Sequence, residues 1–256
     1  MMNSFTVSPR SREFGPSPRR VRVYFNSQLI ADSKDMMLLR EPNQLPLYYF
    51  PKKDVQMDCL QPSDHTTHSD LKGEGVFWQV QVGDRFANNA AFTFRNPPGS
   101  GPNLEEYVAF KWNKMDAWFE EDEEIFVYAR DPHKRVDILP SSRHIEVVVD
   151  DIKVANSKRP WLLFETGLPT RYYMPKHDTR MNLLEPSDTV SRCPYKGEAH
   201  HYSVKIGDKL HKDVVWTYRY PAPECAKVQG LLGFLNEKLD VYEDGTLLPR
   251  PKSPWS

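Results

Sequence analysis

The sequence has only three cysteines among its 256 residues, Cys59, Cys193 and Cys225. An odd number of cysteines without regular spacing argues against a small secreted scaffold held together by disulfide bonds. No apolar run approaches the roughly 20 residues of a membrane-spanning helix, and the first residues lack the apolar segment of a secretory signal. We therefore predict a cytoplasmic protein that has no membrane partner.

An excess of charge of either sign is also missing. The 34 Lys and Arg residues nearly balance the 35 Asp and Glu residues, and the net charge is −1 at pH 7. A nucleic-acid-binding domain usually carries a basic face, so we expect no nucleic-acid partner. The sequence also lacks a Gly-rich phosphate loop, a dinucleotide fingerprint and a G-x-S-x-G elbow. We therefore expect no cofactor.

Glycine and helical periodicity are both scarce. There are 12 glycines against 22 prolines, and the best helical candidate is the short stretch 223–228, which begins with proline. Alternating β-branched and aromatic residues are common, as in 21–25 and 145–149, and such alternation predicts half-buried strands. The pattern predicts a mainly β protein with few short helices.

What the sequence does contain is an internal repeat. Residues 20–120 recur as residues 144–244 without a gap, and every matched pair is separated by the same number of positions, as Glu41 and Glu165 are. A repeat of this size predicts two structural units of the same kind. Further matched pairs are Tyr48-Tyr49 with Tyr172-Tyr173, Pro51-Lys52 with Pro175-Lys176, Lys72-Gly73-Glu74 with Lys196-Gly197-Glu198, and Gly83-Asp84 with Gly207-Asp208.

The repeat also predicts the division of the chain. We expect a disordered N-terminal arm over 1–18, a first repeat over 19–130, a linker over 131–142, a second repeat over 143–248 and a proline-rich tail over 249–256. Within the first repeat, residues 108–112 and 117–119 are predicted to pair as strands. Their counterparts in the second repeat are predicted to pair in the same way.

Several motifs of the second repeat resemble those of the domain-of-unknown-function 427 family. The main one is Arg-Cys-Pro-Tyr-Lys-Gly-Glu-Ala at 192–199, followed by Tyr-Ser-Val at 202–204; the segments 119–124 and 162–169 resemble the two-copy branch of the family. The resemblance covers nearly all of the chain after residue 18. It implies two tandem, strongly bent antiparallel β units packed as a pseudo-symmetric pair, and it implies no settled activity. At His201 the family usually has an aromatic residue.

Comparison of the two repeats points to the second as the chemical site. Cys193 precedes a proline, and Lys196 follows three positions later, where an ammonium group would favour a thiolate. His200, His201 or Glu198 could complete a Cys/His arrangement. The alternative for Cys193 is a small buried side chain at a strand end.

A carboxylate ends an apolar run in each repeat, at Glu41 and Glu165. Burial of an unpaired carboxylate is costly, so we expect Glu165 to pair with Lys196, and Glu41 to pair with Lys72. If desolvation instead raised its pKa, Glu165 would serve as a general acid or base.

The sequence-based hypothesis is a cofactor-independent enzyme that acts on a small oxygenated molecule by isomerisation, cyclisation or hydrolysis. Lys196, Glu165 and Tyr173 would supply acid/base groups, assisted by Cys193 or His200. No metal is expected, because Cys193 and one histidine are too few ligands for zinc. Further residues predicted to bind the substrate are Tyr172, Arg192, Tyr202, Trp216 and Tyr218.

Two other functions remain open. One is a non-catalytic module that binds a small ligand or another protein. The other, less favoured, is nucleotidyl transfer, which would need carboxylates converging on Mg²⁺. A small-molecule ligand is the partner expected from the sequence, and self-association into a homodimer is left open.

Overall fold

A computed structural model describes residues 13–41, 44–99 and 102–253. The contacts between Cα atoms divide the chain into two compact units, with the boundary between Asp131 and Pro132. Strands are the main element of each described unit and they pair antiparallel, so the predicted mainly β fold with two similar units is confirmed.

The first unit contains eleven described strands in a seven-stranded and a four-stranded sheet, with strand orders β1-β4-β5-β9-β8-β7-β6 and β11-β10-β2-β3. Its short 3₁₀ helices are Lys52–Asp54, Met57–Cys59 and Trp112–Lys114. The strands are β1 (Glu13–Pro16), β2 (Val21–Phe25), β3 (Gln28–Ser33), β4 (Met37–Arg40), β5 (Leu47–Pro51), β6 (Leu60–Ser69), β7 (Gly73–Val82), β8 (Arg85–Arg95), β9 (Tyr107–Phe110), β10 (Ala117–Glu120) and β11 (Glu123–Ile125).

The second unit repeats this topology, with strand orders β12-β15-β16-β20-β19-β18-β17 and β14-β13-β21-β22. Its 3₁₀ helices are Lys176–Asp178, Met181–Leu183 and Pro223–Val228. The strands are β12 (Val136–Pro140), β13 (Ile145–Val149), β14 (Ile152–Ser157), β15 (Trp161–Glu165), β16 (Arg171–Met174), β17 (Leu184–Cys193), β18 (Gly197–Ile206), β19 (Lys209–Pro221), β20 (Leu232–Phe234), β21 (Asp240–Glu243) and β22 (Thr246–Leu247).

The hairpin turns follow from local sequence. Asn26 and Ser27 both have positive φ, at 47° and 61°, and so do their counterparts Asp150 and Asp151, at 44° and 61°. Two successive positive φ angles give the tight turn that matches the twist of antiparallel strands, and Asn and Asp tolerate this conformation well. Register shifts also interrupt the long hairpins β6–β7–β8 and β17–β18–β19, and bulges of this kind bend strands.

Two predicted features differ from the structure. Strands β9 and β10 do not pair with each other: β9 pairs with β5 and β8, whereas β10 pairs with β2 and β11. Strands β20 and β21 are separated in the same way. The cause is the turn around 112–116, whose short helix carries the chain from one sheet to the other, an outcome that alternation alone does not reveal.

The connecting segments also contain regular structure. The predicted linker, 131–142, includes β12, which pairs along β15. The predicted N-terminal arm, 1–18, includes β1, which pairs with β4, while 1–12 lie outside the described residues. Both strands occupy the same edge position in their seven-stranded sheets. Proline and charged residues hide these edge strands from a reading by hydrophobic pattern.

Each seven-stranded sheet carries apolar side chains on both faces. In the second unit one cluster includes Tyr172 and Val215 and packs against the four-stranded sheet. A second cluster, on the opposite face, includes Tyr173, Ala199 and Tyr218. We call this opposite face of the second unit the outer face, and it positions the site described below.

Candidate functional site

A buried carboxylate lies at the centre of the outer face. Glu165, at the end of β15, is 7% exposed and forms ion pairs with two lysines. Lys196, in the turn between β17 and β18, donates to Oε2, and Lys134 Nζ lies 3.0 Å from Oε1. The predicted pairing of Glu165 with Lys196 is therefore confirmed. Lys134 precedes β12, inside the segment that the sequence predicts as a linker.

The pKa directions describe an ionised cluster. Burial raises the pKa of Glu165, but the charges of Lys196 and Lys134 outweigh it and bring the pKa below its ordinary value. Burial likewise lowers the pKa of Lys196, but the charge of Glu165 outweighs it and the pKa is raised. Both groups are thus ionised near neutral pH, and the raised pKa that would make Glu165 a general acid is absent.

The first unit has the same ion pair. Lys72 Nζ lies 2.5 Å from Oε2 of Glu41, which is also buried. Lys72 in addition lies over the ring of Phe94, 5.0 Å from its centroid. Because the pair occurs in both units, its first role is structural, and the features that differ between the units carry more information about function.

The aromatic residues around the ion pair differ between the units. Trp216 Nε1 donates a hydrogen bond to the hydroxyl of Tyr173 at 3.0 Å. A Cβ atom on Gly233 would lie 2.5 Å from the Trp216 ring, so the indole requires glycine there. In the first unit the matching residues on β8 and β9 are Phe92 and Ala109. The ring of phenylalanine is smaller than that of tryptophan, so the methyl group of alanine fits beside it.

The phenols of the outer face stay protonated at neutral pH. Burial raises the pKa of Tyr173 to about 12, and it raises the pKa of Tyr218 well above the ordinary value. Tyr173 accepts a hydrogen bond from Trp216 and keeps its own proton to donate. In the first unit Phe94 stands in place of Tyr218, and no hydroxyl is available there.

Two cysteines lie close to the ion pair. Cys193 contributes to the raised pKa of Lys196, so its side chain lies near the ion pair. Cys225, in the 3₁₀ helix Pro223–Val228, is fully buried, and burial raises its pKa to about 11. Its Sγ lies 3.4 Å from the main-chain oxygen of Tyr195. Cys225 therefore remains a protonated packing residue, and Cys193 is the more exposed thiol.

The structure brings only some of the predicted site residues together. Because side chains alternate along a strand, Tyr173, Trp216 and Tyr218 share the outer face with Glu165 and Lys196. Three predicted residues belong to the opposite face: Tyr172, His200 and Tyr202.

These residues outside the outer face have other partners. The hydroxyl of Tyr172 lies 3.4 Å from Glu243. Arg192 is exposed and pairs with Glu198, which also lies 3.6 Å from His200. His200 therefore cannot assist Cys193 at the outer face, and Tyr172, Tyr202 and Arg192 do not line one site with Trp216.

Two further polar residues of the same face, Lys134 and Ser191, were not predicted from the sequence, and His201 was named only as an alternative to His200. Lys134 was hidden by its place in the predicted linker. Ser191 and His201, on neighbouring strands, lie at hydrogen-bond distance, with Oγ and Nε2 2.8 Å apart. Of His200 and His201, only His201 points to the outer face. The sequence could have indicated this, because Ala199 belongs to the same motif as Cys193 and side chains alternate along β18.

No group of three or more His, Cys, Asp and Glu side chains in 13–41, 44–99 and 102–253 could hold a metal ion. None of the helices in these ranges is long and apolar enough to cross a membrane.

Two tandem copies of one antiparallel β unit, each built around a buried Glu–Lys pair, define the chain as a two-copy β-repeat protein. The sequence profile of one family, described as a domain of unknown function (DUF427), matches twice, over 13–121 and 137–245. The chain therefore belongs to the DUF427 family, as the resemblance implied. No curated protein gives a significant match to the chain.

Proposed function

We propose that the second unit binds a small, oxygenated and negatively charged organic molecule beside Glu165, Lys196 and Lys134. The observation that carries this proposal is the charge of the cluster. Two ammonium groups meet one carboxylate, which leaves one unit of positive charge in a largely buried place. An anionic group of a ligand, such as a carboxylate, would balance this charge, and charged groups are rarely buried without a partner.

The surrounding side chains support the same ligand class. Tyr173 and Tyr218 are protonated donors for ligand oxygens, and Trp216 supplies apolar surface. Small-molecule sites commonly combine apolar walls with a few convergent polar groups. In the first unit Tyr49 matches Tyr173, but Phe92 and Phe94 replace Trp216 and Tyr218 by rings without donors.

The reaction that follows binding is acid/base chemistry, as isomerisation, cyclisation or hydrolysis. Lys196 would donate a proton to an oxygen of the ligand as negative charge develops there, with a tyrosine hydroxyl as a second donor. Binding without catalysis is the second candidate. It is favoured by the shifts of Glu165 and Lys196, which move both pKa values away from neutrality.

A thermal-shift screen tests the binding step. A panel of small carboxylates, with nucleotides and divalent metals as comparison, should reveal ligands that raise the melting temperature, because a ligand that prefers the folded state stabilises it. Lys196→Ala and Lys134→Gln should abolish the shift, whereas Lys72→Ala should lower stability and leave the shift intact. The opposite pattern, a shift lost only in Lys72→Ala, would move the site to the first unit.

Product analysis then separates catalysis from binding. A ligand that passes the screen is incubated with the protein in deuterated water, and NMR follows deuterium incorporation or new signals. Turnover that disappears in Lys196→Ala supports an enzyme. An unchanged ligand after prolonged incubation leaves the binding module as the function.

A further inference from the structure

A hydroxyl, an imidazole and a carboxylate follow one another across three strands of the second unit. Ser191 on β17, His201 on β18 and Asp213 on β19 are the residues concerned. The Oγ atom of Ser191 lies 2.8 Å from Nε2 of His201. Nδ1 of His201 and Oδ1 of Asp213 are both buried. The His201 ring interacts with the main chain and the carboxylate of Asp213, and that carboxylate also interacts with Ser187 and Thr189.

The geometry of the first unit shows that the fold does not require these groups. The matching residues there are Thr67, Phe77 and Asn89. Asn89 and Asp213 share the same left-handed backbone conformation, with φ of 51° and 55°. Each accepts a hydrogen bond from a hydroxyl two strands away in the sheet, Asn89 from Ser63 and Asp213 from Thr189. This strand position therefore accommodates an amide, as in Asn89, or a carboxylate, as in Asp213.

We propose that Ser191 is a nucleophile activated by His201, and that the second unit cleaves small esters or thioesters through an acyl-serine intermediate. The hydroxyl is accessible, because Ser191 is exposed on β17, the last strand of its sheet. A serine hydroxyl that donates to a histidine nitrogen is the arrangement by which a weak nucleophile becomes reactive. This site does not depend on the Lys196 cluster, although both lie on the outer face.

The reaction proceeds by acylation of Ser191 and then hydrolysis of the acyl-serine. Oγ of Ser191 bonds to the carbonyl carbon, and its proton moves to Nε2 of His201. The bond to the leaving oxygen or sulfur breaks, and that atom takes the proton from His201. Water then attacks the acyl-serine, gives a proton to His201, and releases the acid as the proton returns to Oγ. The net reaction is ester or thioester plus water to acid plus alcohol or thiol.

The neighbours of His201 suit a base of this kind. Asp213 is a positioning residue: its negative charge favours a proton on Nδ1, which leaves Nε2 free to accept. Burial lowers the pKa of His201. A hydrogen bond to the main chain of Asp213 and, after it, the charge of the Asp213 carboxylate act in the opposite direction, and the adjacent His200 lowers the pKa further. The imidazole is therefore neutral at pH 7 and able to take a proton.

The developing oxyanion also has candidate donors. In the described part of the sheet β17 has a strand partner on one side only. An edge strand of this kind presents main-chain N–H groups away from its partner. Donors aimed at an oxyanion are the usual means of stabilising acyl-transfer intermediates.

Covalent labelling tests the nucleophile directly. The purified full chain is treated with a fluorophosphonate, which loses fluoride as it bonds to an activated serine oxygen, and the adduct is mapped by peptide mass spectrometry. We expect stoichiometric labelling of Ser191, none in Ser191→Ala, and labelling slowed at least about 100-fold in His201→Phe. Thr67→Ala, the matched change in the first unit, should label at the wild-type rate.

Three readouts separate nucleophile activation from structure. Labelling by wild type should be flat from pH 8 to below the ordinary histidine pKa of 6.5, and should fall once the imidazole is protonated. Asp213→Asn should slow the reaction and move this step to lower pH. Wild type and Thr67→Ala should also release p-nitrophenol from p-nitrophenyl acetate with an initial burst, whereas Ser191→Ala should lack the burst.

The proposal is overturned by a wild-type chain that folds and shows no Ser191 adduct while a serine hydrolase in the same tube is labelled. It is equally overturned by an adduct that forms at the same rate in His201→Phe, because the histidine would then play no part. Circular dichroism checks that each variant is folded. Loss of labelling in Lys196→Ala would show instead that the two sites are one.

Discussion

The two units share a topology and an ion pair, yet they differ in which side chains accompany the pair. In the first unit Phe77, Phe92 and Phe94 cover the matching face with hydrocarbon. The second unit has imidazole, indole and phenol groups at the same positions. The comparison separates what the fold needs from what it merely permits, because a group required by the fold must be present in both units.

The largest expected effect concerns the shared ion pair. Glu165→Gln should lower the free energy of unfolding by about 3–5 kcal/mol, because it leaves two partly buried lysines without a counter-charge. Urea denaturation measures the loss, and Glu41→Gln in the first unit is the matched change. A loss below about 1 kcal/mol in both variants would show that the pair is not structural.

The next effect concerns the indole that distinguishes the second unit. Gly233→Ala should cost about 1–3 kcal/mol, because its Cβ would overlap the ring of Trp216. Trp216→Phe combined with Gly233→Ala recreates the pair found in the first unit, and should recover most of this loss. A double-mutant cycle by denaturation gives the coupling. Additive effects would contradict the proposed contact.

Acid titration should sharpen the assignment of the charges. The folded-state pKa of Glu165 is below its ordinary value of 4.5. Its contribution to stability is therefore complete above pH 4.5, and is lost as the pH falls through the lowered value. The difference in unfolding free energy between wild type and Glu165→Gln should stay constant from pH 8 to 5 and then shrink. A gap that widens in acid would mean that the pKa is raised.

The smallest effect is a difference in thiol reactivity. Cys225 is buried and has a pKa of about 11, whereas Cys193 is partly exposed. At pH 8 an alkylating reagent should modify Cys193 first, and should reach Cys225 only after unfolding, because the thiolate is the reactive form. Mass spectrometry of time points distinguishes the two sites. Early modification of Cys225 would show that the 3₁₀ helix opens readily.

The repeat made the fold predictable to the level of strands and hairpins. Turn residues such as Asn26-Ser27 and Gly83 act over a few positions, so their sequence carries the information. The assignment of β9 and β10 to different sheets depends on packing of distant residues, and alternation does not contain it. Edge strands β1 and β12 were not predicted, because proline and charged residues interrupt the apolar alternation within them.

The candidate site was predictable only in its centre. Glu165 ends an apolar run, so its need for a charged partner could be deduced from the sequence. The repeat then pointed to Lys196, because Lys72 occupies the matching position relative to Glu41. Lys134 could not be deduced, because its contact depends on where the chain runs after the boundary between units. The choice between His200 and His201 required the register of β18 against β19, since one step along a strand reverses the face.

The contact between Trp216 and Gly233 also constrains the order in which this half of the chain can change. A methyl group at position 233 is acceptable only after the ring at position 216 has become smaller. Exchange of the second unit's pair for that of the first is therefore tolerated in one order, with Trp216→Phe before Gly233→Ala. The reverse order passes through a destabilised protein, so the residue at one strand position decides which substitutions its neighbour accepts.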